Sequence, residues 1–327
     1  MQLTRHTISL PRSLALVAAL PAAALISAGP AVADSNSHAT SDGGAKPTVV
    51  LVHGAFADAS GWDSTIQSLQ AKGYPVVATA NPLRSLTGDS AYLAAVLKTI
   101  KGPIILVGHS YGGAVITNAA AGNPNVKSLV YIAAFAPDKG ETTAQLTAKF
   151  PGSQLTDDPQ APVPTALNPI PLGESPTNVD LVIKPDKFSN VFLSNRLSAA
   201  KSASLAASQR PANVATNAQP TESVAWKTIP SWYLVATDDR TIGTENLRYM
   251  AKRAGSTTVD VDAPHDVPET NPDAVTNLIL DAAHGTRPSL AHTGANEKAA
   301  ALGGISALAI GTGTLMVMRA RRHGTRN

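Results

Sequence analysis

Gly108-His109-Ser110-Tyr111-Gly112-Gly113 sets one serine among glycines, directly after the apolar run 103–107 and directly before the helix-like run 114–121. A strand that turns sharply into a helix pushes such a serine out on a strained bend, and only glycines leave room for the neighbouring backbones. The chemistry this suits is attack by the Ser110 hydroxyl. A hydroxyl is a poor nucleophile at neutral pH, so it needs a base within hydrogen-bond reach and an acid to orient that base.

Both partners have candidates downstream, each just after a strand-like run. Asp238-Asp239-Arg240 follows 233–237, and Asp262-Ala263-Pro264-His265 follows 257–261. His265 is the base, because no other histidine follows a late strand this way: His284 ends the last helix-like run and His292 lies in the tail. Asp239 is the acid, with Asp238 its main competitor and Asp266 a third. Acyl transfer also needs backbone N–H donors for the developing oxyanion. Tyr111, next after the serine, supplies one; the loop His53-Gly54-Ala55-Phe56 supplies the other, from Ala55 first and Phe56 second. His53 precedes the serine, whereas the base here should follow the serine and the acid in the chain, so it braces that loop instead. Phe56 and His109 are assigned to substrate binding.

These residues need a scaffold that gathers strand ends. Runs 48–52, 74–80, 103–107, 127–135, 230–237 and 257–261 read as buried strands. Between them, segments 58–69, 89–100, 114–121, 244–255 and 272–284 read as helices, the second from Leu93, Val96, Leu97 and Ile100 at helical spacing. The alternation predicts an α/β fold, a mostly parallel sheet with helices on both faces. Residues 136–225 break it with Pro-, Ser- and Ala-rich sequence, read as an inserted lid with weak helices at 179–192 and 198–208. Its apolar residues Val179, Leu181, Val182, Val191, Phe192 and Leu193, with Trp226, fit either a pocket wall or a helix packed on the core.

The chain has 327 residues, 43% of them apolar, 15% charged and none cysteine, so one globular domain, 47–286, accounts for the middle without disulfides or thiolate chemistry. The formal charge of +3 is carried by the ends: outside 34–293 lie Arg5, Arg12, Lys298, Arg319, Arg321, Arg322 and Arg326 against Glu297 alone. What remains is slightly acidic, with no basic face that would call for nucleic acid. No metal-ligand spacing or phosphate loop implies a cofactor.

Residues 1–33 carry Arg5 and Arg12, an apolar stretch 13–26 and Ala31-Val32-Ala33, the pattern of a secretory signal peptide; 34–46 reads as a flexible leader. Residues 287–327 hold Leu290-Ala291-His292-Thr293-Gly294, a hydrophobic segment 299–318 and a basic tail. That order resembles the cell-wall sorting signal of Gram-positive surface proteins, in the form cut by class E sortases. The resemblance implies cleavage between Thr293 and Gly294, transfer of Thr293 to peptidoglycan, and membrane contact only in the precursor.

The first strand with His53-Gly54, the elbow around Ser110, Asp239-Arg240 and His265 together resemble the α/β-hydrolase superfamily over about 48–283. They are most similar to its compact branch of salicylate-ester esterases, hydroxynitrile lyases and related bacterial esterases. The resemblance implies the triad Ser110, Asp239, His265, the oxyanion donors Ala55 and Tyr111, no cofactor and a small-molecule ester substrate. Gly243, where relatives often have proline, and Asp266 beside the base depart from the pattern. The expectation is a secreted, wall-anchored carboxylesterase. Lyase or cofactor-free haloperoxidase chemistry, or a displayed binding protein with an idle triad, are the alternatives.

Overall fold

The computed structural model describes residues 45–175 and 177–286. The expected signal peptide and the sorting signal, with Thr293 and Gly294, lie outside them. Among the described residues, nine strands and ten α-helices follow in order. The first half comprises β1 (Thr48–Val52), α1 (Asp63–Ala71), β2 (Val76–Thr79), α2 (Leu86–Thr99), β3 (Ile104–His109), α3 (Tyr111–Ala119) and β4 (Val126–Ile132). The lid region contributes α4 (Thr143–Thr147), β5 (Leu167–Pro171), β6 (Val179–Ile183), α5 (Pro185–Leu193), α6 (Ala199–Ala207), β7 (Ala212–Asn213) and α7 (Ala215–Ala218). The chain then returns through β8 (Ser231–Ala236), α8 (Thr244–Arg253), β9 (Thr257–Val261), α9 (Val267–Thr270) and α10 (Pro272–His284).

Six strands form one sheet in the order β2-β1-β3-β4-β8-β9, every pair parallel. Strands covered on both faces have no polar side to show, and β1, β3, β4 and β8 accordingly read Val-Val-Leu-Val or its like. Right-handed crossovers fix the faces. The chain steps one way from β1 to β2 and the other way from β2 to β3 and on to β4, which sets α1 on one face and α2 and α3 on the other. The reversal between β1 and β3 is the switch point at which α/β sheets open a crevice beyond their strand ends.

The opposite edge of the sheet is where the described chain enters and leaves. Ala45 leads into the start of β1, and α10 runs back along the sheet, where Ser128 Oγ, near the start of β4, donates to Ala282 O at 3.3 Å. Trp232, near the start of β8, donates through Nε1 to Thr286 O at 3.0 Å.

The lid is more ordered than the sequence suggests. Val179–Ile183, expected to be helical, is instead the middle strand of a small antiparallel sheet, β5-β6-β7. Pairing with β5 overrides local preference there, and Asp180 is taken up at two oxygens by Arg84 Nη1, at 2.9 and 3.0 Å. The helix begins only at Pro185, a residue suited to a first turn. Its C-terminal turn is tied to the loop after β8: Thr241 Oγ1 donates to Val191 O, and Ser194 Oγ to Asp238 O, at 2.8 and 2.7 Å.

Candidate active site

Ser110 follows β3 with φ 54° and ψ −125°, a conformation an L-residue holds only where its surroundings impose it. The glycines explain how. A Cβ on Gly108 would come 2.6 Å from Gly112 O, and one on Gly112 would strike Val52 O at the end of β1. The elbow is thus wedged between its own helix and the neighbouring strand. Gly54 abuts the nucleophile itself, since a Cβ there would lie 2.6 Å from Ser110 Cβ.

Three strand ends bring the expected triad residues together. His265 Nε2 lies 2.8 Å from Ser110 Oγ, and His265 Nδ1 lies 2.7 Å from Asp239 Oδ2. Asp239 Oδ1 accepts the backbone N–H groups of Thr241 and Ile242 at 2.8 and 2.7 Å. Burial pushes the Asp239 carboxyl up, but the His265 charge, its hydrogen bond and those N–H groups together hold it below the usual value. The carboxylate therefore stays ionised and fixes the proton on His265 Nδ1, leaving Nε2 free to accept from Ser110.

Asp238, the competing acid, faces away. Its carboxylate meets Arg196 and Arg240, and Arg196 reaches on to Asp262 at 2.6 Å. Asp266, the third candidate, is buried beside the base, and burial raises its carboxyl to about 7. Gly243 has φ 93°, which a proline cannot adopt, and its N–H points at Asp239 Oδ1 at 3.4 Å.

On the oxyanion side, His53 Nδ1–H donates to Gly54 O at 2.9 Å while Nε2 accepts the Asn81 N–H at 3.0 Å, so the ring is held in one neutral tautomer. Burial lowers its pKa further from protonation. A trans peptide points its C=O and N–H oppositely, so holding the Gly54 carbonyl also aims the Ala55 N–H. Neither that N–H nor the one on Tyr111 has an acceptor among the described residues. Phe56, buried at φ 65°, turns the chain just beyond. Tyr111 is anchored through its hydroxyl, which donates to Asp89 Oδ2 at 2.8 Å.

His109, assigned to substrate binding, packs directly against the base. It is 2% exposed, enclosed by Trp62, Phe192 and His265, and its Nε2 bonds to the His265 carbonyl. It is the last residue of a strand buried along its whole length. Of two further contributors, Phe192 was left between pocket wall and core packing, and Asp89 escaped the sequence reading. Phe192 sets its ring edge-on to His265, centroids 5.1 Å apart, and Asp89 holds Tyr111. Asp89 had a signal: it shares the buried face of α2 with Leu93 and Leu97, at spacing four, where a carboxylate needs a partner.

Residues 49–278 match the model of the alpha/beta hydrolase family. Among curated proteins, the carbendazim hydrolyzing esterase of Nocardioides sp. (strain SG-4G) is 34% identical over 113 residues, 31% of this chain and 47% of that protein. The match thus spans about half of the relative's length. Similar solved structures include a pyrethroid hydrolase from Sphingobium faniae JZ-2, with TM-score 0.57 and 23% identity over 73% of this chain and 97% of that one. Polyneuridine aldehyde esterase gives 0.61 and 19% over 72% and 98%. An extracellular alpha/beta-hydrolase from Paenibacillus species gives 0.55 and 23% over 72% and 98%. At these identities the structural likeness is one of fold.

Proposed function

The chain belongs to the alpha/beta hydrolase family, and on that premise we propose that it is a serine hydrolase that cleaves carboxylic esters through an acyl-enzyme. The observation that carries the reading is the unbroken hydrogen-bond line from Asp239 through His265 to Ser110. His265 Nε2 takes the hydroxyl proton as Ser110 Oγ attacks the ester carbonyl, and Asp239 stabilises the imidazolium that forms. The N–H groups of Ala55 and Tyr111 receive the oxyanion. His265 then gives its proton to the departing alcohol, and afterwards activates water to release the acid.

Phe192 against His265, with Phe56 buried two residues beyond Gly54, favours an apolar acyl or alcohol part. The relatives named as esterases and hydrolases support ester chemistry as a class. The protein is exported by residues 1–33 and joined to peptidoglycan at Thr293 by a sortase, a reading supported by the order of pentapeptide, hydrophobic segment and basic tail.

The test is hydrolysis of p-nitrophenyl esters from C2 to C12 by residues 34–293, with Ser110→Ala as control. Activity that vanishes in the variant, together with fluorophosphonate labelling of Ser110, is the expected result. Absence of both would leave a displayed binding protein in its place. For the anchor, Thr293→Ala is expected to hold the protein in the membrane fraction, and wall-linked protein in that variant would overturn the sorting assignment.

A further inference from the structure

His109 precedes the nucleophile in the chain, yet its side chain belongs to the base. Its Nε2 lies 2.9 Å from the carbonyl oxygen of His265. A carbonyl only accepts, so Nε2 carries the proton and donates it. The same carbonyl receives the Val267 N–H at 2.9 Å across Asp266, whose φ −81° and ψ 64° make an inverse γ-turn. Both lone pairs of the oxygen are therefore engaged, one by the loop's own turn and one by the elbow.

We propose that His109 is a positioning residue that sets the separation of Ser110 and His265. The connections close a short ring. The His109–Ser110 backbone forms one side, the His109 imidazole reaching His265 O forms the second, and the His265 imidazole returning to Ser110 Oγ forms the third. Without the second side, His265 would be placed by its bond to Asp239 and by the loop after β9, whose Asp266 N–H and Ala263 O tie it to Phe192 of the lid and to Asp238 beyond β8.

The environment keeps His109 fit for this task. Burial, followed by the neighbouring charge of His265, holds its pKa down to about 3, so the ring stays neutral across any working pH and always offers its one N–H. Neutrality matters for a second reason. The two imidazole centroids are 4.9 Å apart, and a charged His109 would oppose the imidazolium that His265 becomes during acyl transfer.

This inference rests on the serine-hydrolase reading of the same site, and its test uses the full chain. His109→Leu removes the donor at similar bulk; His109→Gln keeps an amide donor at nearly the same reach. With p-nitrophenyl acetate, the Leu variant is expected to lose about 10- to 100-fold in kcat and in fluorophosphonate labelling rate, with KM within about twofold, and Gln to recover to within about threefold. In proton NMR, the downfield line of the His265 Nδ1 proton should vanish in Leu and persist in Gln. Equal impairment of Leu and Gln would reduce His109 to packing, and a raised KM with kcat kept would make it a substrate contact; either overturns the proposal. If the Leu variant does not fold, His109→Asn, polar but too short to reach the carbonyl, takes its place against Gln. Should the wild-type protein neither hydrolyse esters nor take the probe, the hydrolase reading fails, while the His265 line in the variants still decides the positioning role.

Discussion

Asp238 and Asp239, consecutive in the chain, send their carboxylates to separate tasks: Asp239 bonds His265 inside the protein, and Asp238 bridges Arg196 and Arg240 at its rim. A strand end produces this division, because successive side chains leave the pleat on opposite sides. The pair accordingly separates by mutation. Asp239→Asn should lower kcat by on the order of 10³–10⁴-fold, since an amide no longer enforces the His265 tautomer. Asp238→Asn should keep kcat within about threefold and lower stability by about 1 kcal/mol, as expected of a half-exposed ion network. Steady-state kinetics and urea unfolding read the two effects.

Gly54→Ala should disable the nucleophile without unfolding the domain. The added methyl would press on Ser110 Cβ at 2.6 Å and approach Oγ at 3.1 Å. A labelling rate at least about 100-fold slower, at an unchanged circular dichroism spectrum, is the expected outcome. Wild-type labelling would show that the loop yields.

Asp266 makes stability depend on pH. Its carboxyl, raised by burial from the usual carboxylate range to about 7, binds a proton more tightly folded than unfolded. It therefore contributes stability that is fully present below about pH 4 and is lost as pH rises through about 7. The neighbouring charges are His265, Glu269 and Lys201, the last two paired at 2.7 Å. Asp266→Asn removes the penalty, so relative to wild type it should gain on the order of 2–4 kcal/mol at pH 8 over pH 4. Denaturant midpoints at both pH values test this, and parallel curves would refute it.

Arg84→Ala should loosen the lid's small sheet and leave the main one intact. Asp180, at 10% side-chain exposure, would lose its forked partner and retain only the Asn213 amide. Hydrogen exchange in β6 should quicken by about 10-fold or more, corresponding to about 1–3 kcal/mol, with β3 unaffected.

The main sheet was legible in the sequence because a strand buried on both faces carries a continuous apolar run, and β1 is such a run while β3, β4 and β8 hold one at 104–107, 129–132 and 232–236. The lid strand β6 was not. Val-Asp-Leu-Val-Ile satisfies helix and strand alike, and its partner β5 contains Pro169 and Pro171, which argue against any strand except one at an edge, where β5 in fact lies. The order serine, acid, histidine was readable because the fold confines each to a strand end. The direction of His109 was not, since its acceptor lies 156 residues away and only the turn at Asp266 presents that carbonyl.

The bond from Trp232 Nε1 to Thr286 O fastens the last described residue at the strand-start edge of the sheet, opposite the elbow. Any mechanical load transmitted through the chain beyond Thr286 would enter there, through α10 and the base of β8. The strands stand between that point of traction and the triad like struts. On the proposed wall attachment, the elbow would face away from the point of attachment, with the strands in between.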